Sequence, residues 1–129
     1  MRKPAEFANH PHKFPDMMEY RAFCRYVVDG DTFDFIVDLG IFQYTYTTVR
    51  LSGIDTPETF GRVAETTRTK GKEAKARVES LILNKPCTIV LHKDKVTFGR
   101  FVADVFYYED GIRKSLKETL LAESLGVIS

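Results

Sequence analysis

The stretch "TFDFIVDLGIFQYTYTTVRLSGI", residues 32–54, limits the possible folds more than any other part of the chain. Phe33, Phe35 and Val37 alternate with Thr32, Asp34, Ile36 and Asp38, the period-two pattern of a strand with one apolar face. Gly40 marks a reversal, and "YTYTTVRLSGI" is β-branched and aromatic, so it reads as the next strand. Upstream, "AFCRYVV" joins the alternating segment through Asp29-Gly30-Asp31, a strong turn signal. Downstream, "PCTIVLHK" and "GRFVADVFYY" read as a fourth and a fifth strand. A chain of 129 residues has little else with which to cover strand edges, and closure into a barrel removes them.

Between the third and fourth strands the period changes. "TTRTKGKEAKARVESLILN" puts Ala74, Val78, Leu81 and Ile82 on one helical face. Thr69 is the predicted N-cap, and Asn84 followed by Pro86 the stop. Glu109-Asp110-Gly111 then turns the chain into "SLKETLLAESLG", where Ser115 and Glu118 have capping-box spacing and Gly126 is the predicted C′ residue. The predicted fold is mainly β with helices: a five-stranded OB-fold barrel with a helix after strand 3 and a C-terminal helix. A split α+β sheet is the alternative. Residues 1–20, "MRKPAEFANHPHKFPDMMEY", read as a flexible N-terminal leader and residues 21–129 as one domain.

Composition narrows the class. With 43% hydrophobic and 29% charged residues the chain is ordinary and globular, neither disordered nor membrane-bound. No apolar run approaches the ~20 residues that cross a bilayer. The first twenty residues lack an apolar h-region, so a cytoplasmic monomer is expected, or a secreted one if a signal has been removed. Cys24 and Cys87 lie in apolar runs without C-x-x-C spacing and read as buried small hydrophobes. His10, His12 and His92 are too scattered for a transition-metal site. Charge is uneven: residues 1–58 hold 6 Lys+Arg against 9 Asp+Glu, and residues 59–129 hold 13 against 9. An acidic cluster meeting a basic flank suits a cation together with a polyanion, although a basic run also suits a solvated helix face.

The acidic residues gather in two places. Asp29, Asp31 and Asp34 crowd the first hairpin, and Asp55 and Glu58 crowd the exit of the third strand, beside Pro57. If strands two and three are neighbours, the two groups converge at one rim. Carboxylates with a backbone carbonyl and water suit a hard ion, Ca²⁺ or Mg²⁺; taken singly, each pair reads equally as a turn or a cap. Arg50 within a strand and Arg100 at the start of another are costly unless each guanidinium meets water or an anion. Near a metal, two such groups offer what phosphoryl transfer needs.

In this order, "VVDGDTFDF", "VRLSGIDTPET", "KGKEAKARV" and "FGRFVADVF" resemble the staphylococcal nuclease (thermonuclease) family over roughly residues 21–126. The resemblance implies a calcium-dependent phosphodiesterase that hydrolyses DNA, and RNA as a second candidate substrate, to 3′-phosphate products. It implies Asp31, Asp55 and the Thr56 carbonyl as ligands of Ca²⁺, with Mg²⁺ the weaker choice. Arg50 and Arg100 match the catalytic arginines and Glu58 the proposed general base. The family's "D-x-Y-G-R" reads Val96-Thr97-Phe98-Gly99-Arg100 here, which leaves Phe98 to stack on a base and Lys93 and Lys95 to supply charge. Ser124 stands where the family pattern has glycine. The alternative is a catalytically inactive OB-fold nucleic-acid-binding module.

Overall fold

The computed structural model describes residues 17–129 apart from 60, 62, 98 and 99, with backbone alone at 17 and 93–97. Its strands are β1 (Met17–Asp29), β2 (Thr32–Gly40), β3 (Gln43–Leu51), β4 (Ile54–Asp55), β5 (Pro86–Thr97), β6 (Arg100–Glu109), β7 (Ile112–Ser115) and β8 (Val127–Ile128). Two helices, α1 (Glu65–Ile82) and α2 (Leu116–Ala122), complete the chain. The sheet runs β3-β2-β1-β5-β6-β7, and a parallel pairing of β3 with β6 closes it. The closed part is a five-stranded mixed barrel of β1, β2, β3, β5 and β6, the predicted architecture. The first helix follows the short β4.

The alternation read from residues 32–38 is realised in burial. Phe33, Phe35 and Val37 enter the core with Val49 and Leu51 of β3 and with Ile89, Ala103 and Val105 across the barrel. Helix α1 seals one opening with Ala74, Val78, Leu81 and Ile82, as its periodicity predicts. Both thiols are buried and free, and burial pushes them up to about 11 at Cys24 and about 12 at Cys87. Among the described residues no helix is long and apolar enough to cross a membrane.

Several boundaries differ from the sequence reading. β1 begins at Met17, inside the segment read as leader, because Met17–Tyr20 pair with Ile89–His92 of β5. Thr69 is not the N-cap: α1 starts four residues earlier, behind Ala64, and the Thr69 hydroxyl donates to Glu65 O at 3.0 Å. Asn84 does end α1, at φ 55°, with its N–H donated to Cys24 O of β1. Ser115 caps α2 by accepting from the Glu118 N–H at 3.2 Å. Gly126 is not C′. Ser124 takes that place at φ 58°, with Ser124 N donating to Leu121 O and Leu125 N to Leu120 O, a Schellman ending without glycine.

Candidate functional site

The β1–β2 turn and the segment after β3 meet because Thr32 pairs with Arg50 in the antiparallel β2–β3 ladder. That register brings Asp31, just before β2, beside the C-terminal end of β3, where Leu51 N donates to Asp31 O at 2.8 Å. Asp31 is nearly buried and its carboxylate meets three donors, two at Oδ2 and one at Oδ1. Thr32 Oγ1 donates to Oδ1 at 3.1 Å, Thr56 N donates to Oδ2 at 2.9 Å, and Arg50 Nη1 lies 3.0 Å from Oδ2. The same Nη1 donates to Ile54 O at 2.9 Å, while Nη2 is paired with Asp55 Oδ1. One guanidinium therefore bridges Asp31 and Asp55.

Electrostatically this is a compact cluster, with two negative charges compensated by one fixed positive charge. Arg50 has little side-chain exposure, so its pairing is only partly screened by solvent. Thr56 contributes its backbone; its side chain packs beside Gly30, and its Oγ1 is buried without a hydrogen-bond partner among the described residues. The donor chemistry at the rim is entirely hard oxygen, which fits a Ca²⁺-like ion better than a soft metal. Among the described residues no three His, Cys, Asp or Glu side chains are grouped to hold a metal. The two aspartates would need backbone and water oxygens to complete a coordination shell.

The other acidic residues of the hairpin are committed elsewhere. Asp29 Oδ1 accepts from Thr59 Oγ1 at 2.6 Å, and Asp34 Oδ1 accepts from Thr48 Oγ1 at 2.7 Å. The first of these ties down the far end of the 56–59 loop, a clamp that sequence reasoning missed because it joins residues far apart in the chain. Glu58 is exposed on that loop. Arg100 opens β6, which runs parallel to β3 with Val102 opposite Arg50. It is thus on the strand next to Arg50, two positions from the arginine's partner and on the same outward parity. Lys93 and Lys95 belong to β5, but their side chains, like all of Phe98, lie outside the described residues.

A cleft of about 520 Å³ opens beside Asp55 and Thr56, walled by Thr67 and Lys70 of α1 and by Leu125 to Val127. Lys70 is the one basic residue of its lining, against Asp55, Glu73 and Glu123, so the basic flank expected from the charge division does not face this cleft. A comparison with curated proteins gave no significant match. The sequence profile of the staphylococcal nuclease homologue family matches residues 48–128, which include Arg50, Asp55, Thr56, Glu58 and Arg100 but not Asp31. Asp31 joins the set through its contacts with Arg50 and Thr56. The matched segment spans well over half of the chain, and the protein belongs to the staphylococcal nuclease homologue family.

Proposed function

We propose that the protein is a Ca²⁺-dependent nuclease that hydrolyses phosphodiester bonds of DNA, with RNA as a second substrate, leaving 3′-phosphates. The observation that carries this reading is the Arg50 guanidinium held between Asp31 and Asp55. A purely structural barrel has no need to gather two carboxylates and an arginine at one rim, where desolvation opposes the charges of Asp31 and Arg50.

In this reading Asp31, Asp55 and the Thr56 carbonyl would hold Ca²⁺, which would supply positive charge to a phosphoryl oxygen. Arg50 donates its planar fork to the remaining phosphate oxygens, exchanging part of its carboxylate pairing for the substrate. Arg100 neutralises charge growing on the leaving oxygen from the neighbouring strand. Glu58 orients a water and accepts its proton as the water oxygen bonds to phosphorus; the bond to the 5′ oxygen breaks, and that oxygen takes up a proton from solvent.

The test is digestion of plasmid and single-stranded DNA by wild type and by Glu58→Ala, with Ca²⁺, with Mg²⁺ and with chelator. The expected result is Ca²⁺-dependent cleavage that falls sharply in the variant. Metal-independent binding without cleavage would instead support the catalytically inactive OB-fold module. Ca²⁺ with a nucleotide bisphosphate should also raise the thermal midpoint, since ligand binding draws on the native state alone.

A further inference from the structure

Gly71 sits in the interior of α1, a position where almost any other residue favours the helix more. It is buried, and the space for its side chain is already taken. A Cβ at this position would stand 2.5 Å from Glu58 O, 2.7 Å from Pro57 O and 2.8 Å from Glu58 C. All three are main-chain atoms, which no rotamer change can clear. The Pro57–Glu58 peptide therefore rests directly on the helix.

The loop has few ways to yield. Pro57 restricts its own φ and keeps Thr56 extended, while Thr56 N and Thr59 Oγ1 are tied to Asp31 and Asp29. Glycines also abut the loop from two other elements. A Cβ on Gly30 would lie 2.9 Å from the Thr56 hydroxyl, and one on Gly126 would lie 3.0 Å from Asp55 O. Among the described glycines only Gly71 has backbone for all its nearest atoms.

We infer that Gly71 is a positioning residue for Glu58: its missing side chain lets the loop seat on α1 and so sets where the Glu58 carboxylate leaves the backbone. The chemistry of Glu58 in this inference rests on the nuclease reading; the seating of the loop does not.

A double-mutant cycle between Gly71→Ala and Glu58→Gln tests it, read as single-turnover cleavage of single-stranded DNA at saturating Ca²⁺. Gly71→Ala alone should lower the maximal single-turnover rate constant by ~100-fold, the scale of a displacement of about 1 Å, with little change in the concentration that gives half that rate. In the Glu58→Gln background the same substitution should lower the rate no further, and Lys72→Ala, exposed on the same helix, should cleave like wild type. Equal losses in both backgrounds, or no loss at all, overturn the inference. Should Gly71→Ala fail to fold, Pro57→Gly takes its place in the cycle, loosening the same peptide without adding an atom to the helix. A wild-type protein that folds but does not cleave overturns the nuclease reading instead. The seating is then read from the backbone amide NMR shifts of residues 56, 58 and 59, which should move in Gly71→Ala and stay in Lys72→Ala; shifts unmoved in both overturn it.

Discussion

The Arg50 end of β3 and its Tyr44 end share one strand and one outward parity, yet their surroundings are opposite. Val49 and Arg50 are flanked by β2 and by the parallel β6, and Leu51 by β6 and by Asp31 of the turn before β2. From Gln43 to Thr48 the strand pairs with β2 alone. Side chains at the closed end are buried or bonded, whereas Tyr44 and Tyr46 are 64% and 61% exposed. At the hairpin tip Ile41 and Phe42 are each 92% exposed and both adopt positive φ, at 51° and 56°. Alternation sets which way a side chain points; a second neighbouring strand decides whether anything covers it. The candidate site occupies the end of β3 that has both neighbours, where its charged groups can be held in place.

The sharpest way to break this contrast is Arg50→Ala. Removing the charge that Asp31 and Asp55 share should cut the cleavage rate by ~10²–10³, the scale of one lost transition-state donor, measured by single-turnover digestion. A variant with undiminished rate would show that the closed end is not the catalytic one. Next in size is a stability contrast along β3. Leu51→Ala should cost about 3 kcal/mol, as for other buried leucines, while Tyr46→Ala should stay within ~0.5 kcal/mol. Both are read from urea midpoints, and equal losses would mean that the arm is packed after all.

A smaller effect is expected at the tip. Two consecutive residues at positive φ are the geometry that Asn-Gly prefers in a two-residue hairpin, and a β-branched residue there is strained. Replacing Ile41 by Asn and Phe42 by Gly should raise stability by ~1 kcal/mol, seen as a higher denaturation midpoint. A lower midpoint would mean that the apolar tip is buried against something in solution. The smallest effect under ordinary conditions concerns the thiols. Burial raises Cys24 to about 11 and Cys87 to about 12, so the folded state favours the neutral thiols. Their contribution is complete below the ordinary thiol value of 9.0 and is lost as pH climbs through the folded values. Denaturation midpoints should therefore fall above about pH 9, and replacing both cysteines by alanine should remove that part of the decline.

Much of the fold was legible because it is written in local periods. Phe33, Phe35 and Val37 announce a half-buried strand, and Ala74, Val78, Leu81 and Ile82 announce a helix face, whatever they later pack against. Helix ends were less legible. Thr69 resembles a cap but bonds back into its own helix, and Ser124 does the work expected of Gly126, because the chain after α2 must turn sharply to bring Val127 beside Asp55. Within the candidate site, Asp31, Arg50, Asp55, Thr56, Glu58 and Arg100 were nameable from motif and resemblance. The Asp29–Thr59 clamp and the seat at Gly71 were not, although a glycine inside "KGKEAKARV" is the signal that could have found the second.

By itself the sequence determined the strand and helix periods, the turn at Asp29-Gly30-Asp31 and the set of charged residue types offered to the rim. Tertiary structure alone decided that Arg50 stands between Asp31 and Asp55, that β6 closes on only three residues of β3, and that the Glu58 loop lies on a bare patch of α1. The physical reason is range. Periodicity and turn chemistry act between neighbours in the chain, whereas a shared guanidinium or a backbone-on-helix contact depends on where distant segments come to rest.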